Sequence, residues 1–190
     1  GAFGLTEPNA GSDASMIQTR AEDKGDHWLL NGSKIFISGG GIAEVYVIMA
    51  MTDKSLGTKG ISAFIVEKGM PGFSRGKKEN KMGIKGAPTC ELVFKNAKAE
   101  LVGTRRMGLI KYVMSLMNGA RLGIMAQSVG LSEAATREAY DYALERRQFG
   151  KAIIEFPPVY EMLANMRAKT DASRALLYET CRFVDMYKTL

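Results

Sequence analysis

Near the start of the chain, residues 5–13 (LTEPNAGSD) set an acid beside a proline, then small residues and the hydroxyls of Thr6 and Ser12. Nothing apolar recurs here with a helical or strand period. Pro8 fixes one backbone torsion, while Asn9, Gly11, Ser12 and Asp13 suit tight turns. Such a loop offers hydroxyls and bare main-chain amides to a polar ligand that comes very close. A second stretch, residues 34–41 (KIFISGGG), ends in three glycines, where main chain can approach a flat ring with no Cβ in the way. A third, residues 145–150 (ERRQFG), pairs guanidinium groups with a phenylalanine. A guanidinium is a forked donor suited to phosphate, and a phenyl ring offers a stacking face. Read alone, this last segment is an ordinary charged helix end.

The elements that position these residues follow from the apolar pattern. Residues 16–102 read as β structure, with apolar runs at 17–21, 28–37, 45–51, 61–66 and 91–94. Turn clusters at 24–26, 52–60, 69–72 and 83–88 separate them. Trp28, Leu30, Ile35 and Ile37 alternate, and Asn31-Gly32 between them predicts two strands joined as a hairpin. Runs 45–51 and 61–66 are nearly continuous in apolar character, so both of their faces are expected to be covered. Short strands with glycine-rich breaks predict a small barrel or two packed sheets.

The chain then changes character. From Leu109 to Arg147 apolar residues recur at three and four, with Val113, Leu116, Met117, Leu122, Met125, Val129, Tyr140 and Leu144 in register. This predicts one long helix, or two with a kink. Gly119, Gly123 and Gly130 each weaken it by about 1 kcal/mol against alanine. Close helix packing would explain Gly130, and ligand approach is an equal reading for Gly119. A second helix starts at Pro157-Pro158, where proline is welcome, with a stripe of Val159, Met162, Leu163, Met166, Leu176, Leu177 and Val184. The expected class is α+β, a small β-barrel or two-sheet domain (1–103) followed by long antiparallel helices of a bundle (104–190).

Composition bounds the chemistry. At 190 residues, 46% hydrophobic and 24% charged, the chain has ordinary globular content. The single histidine, His27, leaves no room for a cluster of histidine metal ligands, and little for a Ser-His-Asp triad. Cys90 and Cys181 stand far apart and suggest no disulfide framework, which fits a reducing compartment. No apolar run is long enough to span a bilayer, and the start lacks the features of a signal peptide. The +6 net charge is scattered, densest at Lys77, Lys78, Lys81 and Lys85, with no aromatic platform beside it. A solvated face is favoured over nucleic acid, and a phosphate-rich ligand would benefit from the mild positive field.

The three motifs, in this order and spacing, resemble the acyl-CoA dehydrogenase family of flavoproteins, and the resemblance covers essentially the whole chain. It implies FAD as cofactor, an acyl-CoA substrate, α,β-dehydrogenation to the trans-2-enoyl-CoA, and an electron-transfer flavoprotein as acceptor. A homodimer or dimer of dimers, in the cytoplasm or mitochondrial matrix, is implied too. The chain, which lacks an initiator methionine and ends in mid-helix, is expected to be a fragment of such an enzyme. By the same resemblance, Thr6 hydrogen-bonds the pyrimidine edge of the flavin, and Phe3 and Leu5 line its approach. Gly11 and Ile37 fall in the contacting segments. Ser12 meets cofactor phosphates or the coenzyme A portion. Phe36 takes the place of a shielding aromatic, often tryptophan, and Ser38 that of a hydroxyl reaching flavin N5. Arg146, Gln148 and Phe149 match a segment that crosses a dimer interface to the neighbour's FAD. Arg121 matches an arginine near the coenzyme A passage, and Asn118 stands where the family often carries an acid.

No catalytic base is assigned within the chain. The family places this glutamate mostly in the distal C-terminal region; a minority place it just before the arginine matching Arg121, where this chain has Ala120. GTKGISAF and NGARLGIMAQSVG look closer to a long-form branch. Rival readings on the same fold are an acyl-CoA oxidase or flavin monooxygenase, or a non-catalytic acyl-CoA- or nucleic-acid-binding relative.

Overall fold

The computed structural model describes residues 1–189 and divides into two compact units, Gly1–Ser115 and the chain from Leu116 onward. The first unit contains β1 (Ala2–Gly4), β2 (Arg20–Asp23), β3 (Trp28–Ser38), β4 (Val45–Met51), β5 (Ile61–Glu67), β6 (Phe73–Lys78) and β7 (Thr89–Leu101). Strand β4 pairs with β5 along its whole length, β5 with the end of β7, β7 with β3, and β3 with β2. Strand β2 returns to β4 at Arg20 and Met51, which closes the ring. The result is a five-stranded barrel, with β1 added in parallel on β4 and β6 added on β7.

Closure removes sheet edges and encloses one apolar core. Leu30, Tyr46, Ile48, Phe64, Val66, Leu92 and Phe94 are buried there with small residues such as Ala50, Ala97 and Ala99. Trp28 packs against Phe64 at 5.3 Å between ring centroids, and Phe73 bridges Tyr46 and Phe94 at 4.7 and 5.4 Å. Six of the seven residues of β4, and six of β5, are buried or half-buried, because both faces are covered.

The expected hairpin at Asn31-Gly32 is absent, and residues 28–38 form one continuous strand. Gly32 does take a positive φ of 145°, and a Cβ there would fall 2.6 Å from Thr19 Oγ1. The chain nevertheless runs straight on. The irregularity is absorbed across the ladder, where β7 carries one extra residue, Asn96, at φ 51°. The Asn96 amide and side chain are bonded by the Asn31 side chain, each at 2.9 Å. The true β2–β3 turn lies at the expected 24–26 cluster, with Lys24 N donating to the His27 carbonyl at 2.9 Å.

Two strands of this unit escaped the sequence reading. Strand β1 is short, and β6 has one apolar residue, Phe73. The charges of Arg75, Lys77 and Lys78 on this outer strand discourage pairing with another chain.

A π-helical turn (Gly108–Val113) belongs to the first unit and leads into α1 (Met114–Glu145). Gly108 lies against the main chain of Ser62, leaving no room for a Cβ. A two-stranded hairpin of β8 (Arg147–Gln148) and β9 (Lys151–Ala152) then precedes α2 (Pro157–Thr189). The helices run antiparallel: Glu133 of α1 holds Arg174 at 2.6 Å and Arg167 at 3.4 Å, and Thr136 meets Thr170 at 3.4 Å. Among the described residues, one stripe of each helix is covered. Val129 is buried, but Leu116, Tyr140 and Leu144 are exposed. A Cβ at Gly119, Gly123 or Gly130 would meet open space among the described residues, so close packing within this chain does not explain Gly130.

Candidate functional site

The loop after β1 is built around one carboxylate. Residues 7–10 form a tight turn in which Glu7 and Ala10 exchange main-chain hydrogen bonds of 3.0 and 3.1 Å. The Glu7 side chain turns inward. Its Oε2 accepts from Gln18 N at 2.6 Å, and its Oε1 accepts from Thr19 N at 3.0 Å and from the Lys34 ammonium at 2.6 Å. Lys34 also donates to the Leu5 carbonyl at 3.0 Å. Lys34 is 0% exposed and Glu7 6%. Burial pushes the Lys34 ammonium down to about 8 against the pull of the Glu7 charge. Burial alone would raise Glu7, but the Lys34 charge and the hydrogen bonds from Lys34, Thr19 and Gln18 hold its carboxyl below the ordinary value. Neither residue was singled out from sequence. The available signal was a lysine on the same strand parity as the buried Leu30.

One residue beyond Lys34, Ile35 N donates to the Thr6 carbonyl at 2.9 Å, which fastens the loop to the middle of β3. The strand then bulges: Lys34 faces Leu92 and Ile37 faces Cys90, so Ile35 and Phe36 share one opposing residue. Phe36 sits at φ 59°, a conformation that costs a bulky residue, and its side chain is 59% exposed. Ile37 points into the core, so it can offer a ligand only main-chain atoms, and Ser38 is exposed again. The glycine turn that follows is pinned from beneath. The Tyr46 hydroxyl lies 2.9 Å from both the Gly40 and Ala43 carbonyls, Gly39 N donates to the Pro88 carbonyl at 2.8 Å, and Arg75 reaches the Gly41 carbonyl.

Thr6 is bonded through its carbonyl to Ile35, Phe36 and Ser38 stand exposed at the end of β3, Leu5 is held by Lys34, and Phe3 is half-buried on β1. Gly11 and Ser12 are exposed on the far side of the loop, which Asp13 closes by accepting from Ser15 N at 3.0 Å. A groove of about 940 Å³ begins there, lined by residues that include Ser15, Gln18, Arg20, Thr52 and Lys54.

In the second unit the assigned residues occupy two separate places. Asn118 and Arg121 are neighbours on α1, with Arg121 Nη1 donating to Asn118 Oδ1 at 2.8 Å, and both are exposed. Arg146, Gln148 and Phe149 lie past the other end of α1. Phe149 and Gly150 take successive positive φ values of 52° and 81°, the signature of a tight hairpin turn. Phe149 is 92% exposed at its tip, and its ring centroid lies 6.1 Å from that of Phe156 in a T-shaped arrangement. At 1.5 Å per residue, Arg121 and Arg146 stand roughly 40 Å apart along the helix axis.

Among the described residues, no cluster of three histidine, cysteine, aspartate or glutamate side chains could hold a metal ion. None of the described helices is long and apolar enough to cross a membrane. Both cysteines are free.

The first unit is thus a barrel that presents a pinned loop, and the second a pair of antiparallel helices. Residues 2–97 match the model of the acyl-CoA dehydrogenase middle domain, and residues 110–188 that of the acyl-CoA dehydrogenase C-terminal domain. The chain belongs to the acyl-CoA dehydrogenase family. It is 49% identical over 183 residues to a short-chain-specific acyl-CoA dehydrogenase of Megasphaera elsdenii, covering 94% of this chain and 48% of that protein. It is 48% identical over 182 residues to an acryloyl-CoA reductase (NADH) of Anaerotignum propionicum, covering 93% and 46%. The solved butyryl-CoA dehydrogenase of Megasphaera elsdenii superposes with a TM-score of 0.87 at 48% identity, covering 94% of this chain and 47% of that one. The chain therefore spans about half the length of the curated relatives it matches.

Proposed function

We propose that this chain supplies the β domain and first helices of an FAD-dependent acyl-CoA dehydrogenase that oxidises a short acyl-CoA to its trans-2-enoyl-CoA. The observation that carries the reading is the junction of the loop with β3. There two hydroxyls, Thr6 and Ser38, have no hydrogen-bond partner among the described residues and flank an aromatic held outward at positive φ. These groups fit a flat, polar-edged ring. FAD, when bound, supplies the acceptor for the β-hydride of the substrate. Thr6 and Ser38 orient the ring through hydrogen bonds at its edge, and Phe36 excludes water from one side. The groove beyond Ser12 carries Arg20 and Lys54 beside Glu22 and Asp53, and the two basic side chains offer donors to the phosphates of coenzyme A.

The separation along α1 supports an oligomer. Arg121 on α1 and Arg146 just past its far end, roughly 40 Å apart, serve different ligand molecules more readily than one. We assign Arg121 and Asn118 to the coenzyme A of their own subunit. Arg146, Gln148 and the exposed Phe149 go to the FAD of a second copy, in a dimer or dimer of dimers. We place the base that takes the α-proton outside this chain; the position just before Arg121 on α1 is Ala120, and α1 carries no carboxylate before Glu133. Electron-transfer flavoprotein is the proposed acceptor, fatty-acid metabolism the proposed setting, and the cytoplasm or mitochondrial matrix the proposed compartment. The similarity to an acryloyl-CoA reductase favours one second reading, the same chemistry run toward the saturated thioester.

The test is an anaerobic absorbance titration of the complete gene product with acyl-CoAs of increasing length. Bleaching of the flavin bands by a short thioester is expected. Bands that persist through the whole series but bleach with NADH favour the reductase. A protein that stays colourless after FAD is supplied refutes the flavoenzyme reading.

A further inference from the structure

The most heavily buried charged groups of the first unit are not among the residues that face the cofactor in the reading above. Glu7 and Lys34 lie in the barrel wall, behind the loop. Together they join three segments: the loop through the Leu5 carbonyl and Glu7 itself, the entry to β2 through the Gln18 and Thr19 amides, and β3 two residues before Phe36. The next residue of β3 continues the same seam, with Ile35 N bonded to the Thr6 carbonyl.

Stability alone does not account for this arrangement. Taking a carboxylate and an ammonium out of water costs about as much as their attraction returns, and a well-packed apolar pair of similar volume is often as stable or more so. An apolar pair cannot supply direction. The ammonium fixes the Leu5 carbonyl, the carboxylate fixes two amides, and the carbonyl of Thr6 is thereby set at one height along β3. Two observations agree. Among the described residues, Lys34 makes the hydrogen bonds that run from a side chain of β3 to the loop, and it lies two residues before the strained Phe36.

We propose that Glu7 and Lys34 are positioning residues for the cofactor site, holding Thr6 in register with Phe36 and Ser38 so that all three meet one flat ring. This rests on the FAD reading above. The two residues touch no ligand themselves; they act through the main chain of Leu5 and Thr6.

The experiment uses the complete gene product, stripped of flavin and titrated with FAD. The wild type is compared with Lys34→Met and with the uncharged pair Glu7→Gln/Lys34→Met. FAD affinity is followed by fluorescence quenching, ring geometry by the visible circular dichroism of the bound flavin, and folding by far-ultraviolet dichroism and melting. The expected result is FAD binding weakened about tenfold or more in both variants, with altered visible dichroism. The double variant melts close to the wild type. A folded double variant that binds FAD with wild-type affinity and an unchanged visible spectrum overturns the inference, as does a double variant that cannot fold, since the pair would then serve the fold itself. If Lys34→Met alone fails to fold, the double variant decides. A wild type that binds no FAD sinks the flavoenzyme reading and this inference with it. A wild type that binds FAD beside indifferent variants sinks this inference alone.

Discussion

Replacing Lys34 by methionine isolates the energetics of the buried pair. Methionine fills the channel occupied by the lysine stem but offers neither charge nor donor. Three things then change. The Leu5 carbonyl loses its 3.0 Å hydrogen bond, Glu7 loses its 2.6 Å ion pair, and the penalty already borne by a buried ammonium disappears. The displacement from 10.5 to about 8 is what remains of that penalty after the pull of Glu7, a net of roughly 3 kcal/mol of disfavoured charging. Against this relief stands a carboxylate left buried with two amide donors and no counter-charge. Breaking a buried pair from one side typically costs about 3–5 kcal/mol. The two remaining amide bonds place this case at the lower end, about 3 kcal/mol at neutral pH. Glu7 also sets the sign of the pH dependence. In the wild type its carboxyl is held below the ordinary value, so its contribution is present at neutral pH and lost as pH falls through the folded-state value. In the variant, burial without the ammonium raises the carboxyl above its unfolded value, so acid relieves the strain. The gap between the two proteins must therefore narrow on acidification. Urea unfolding of both proteins near neutrality and again near pH 4 measures it. A gap below about 1 kcal/mol at neutral pH, or one that does not narrow in acid, refutes the reasoning.

Two other outcomes follow from the same geometry. Above neutrality the unfolded chain keeps its lysine proton to about 10.5 while the folded chain releases that of Lys34 near 8. The unfolded state then binds more protons, and stability relative to the methionine variant rises with pH between those values; paired denaturation curves in that window check it, and a flat or falling difference counts against it. Substituting Phe36 by glycine relieves a positive φ of 59° and sacrifices little burial, while adding backbone entropy to the unfolded chain. The stability of the apoprotein is expected to change by less than about 1 kcal/mol, while FAD affinity falls; a large loss of stability would mean that Phe36 serves the fold.

What the sequence made legible, and what it hid, has a physical pattern. Strands β4 and β5 were legible because burial on both faces leaves continuous apolar runs. The helices were legible because one covered stripe imposes a period near 3.6. Strand β6 was not, because main-chain pairing with β7 holds it and only Phe73 contributes apolar surface. The Asn-Gly signal was read correctly for torsion and wrongly for topology. Gly32 does adopt a positive φ, but a single such residue does not reverse a chain, and the extra residue Asn96 across the ladder accommodates it. Two successive positive values, at Phe149 and Gly150, do reverse it, in a hairpin where a plain link was expected. Of the candidate site, the loop and the end of β3 were legible as motifs. The pair that fastens them together was not, since a lysine's inward direction is known only once the register is.

Register also explains how the site comes to face outward at all. Counting by twos from Lys34, which points into the barrel, an unbroken strand would turn Phe36 and Ser38 inward and Ile37 outward. The bulge at Ile35 and Phe36 reverses that parity. It sends Ile37 into the core beside Leu92 and leaves Phe36 and Ser38 on the surface, on either side of it. The positive φ of Phe36 is the local cost of this reversal, and the bonds of Lys34 immediately before it and of the Tyr46-held glycine turn after it fix the strand at both ends. An inward-pointing charge and an outward-pointing aromatic two residues apart are therefore parts of one device. The buried pair sets the height of the loop against β3, the bulge sets the face of the strand, and the proposed site needs both if Thr6 and Ser38 are to meet one ring.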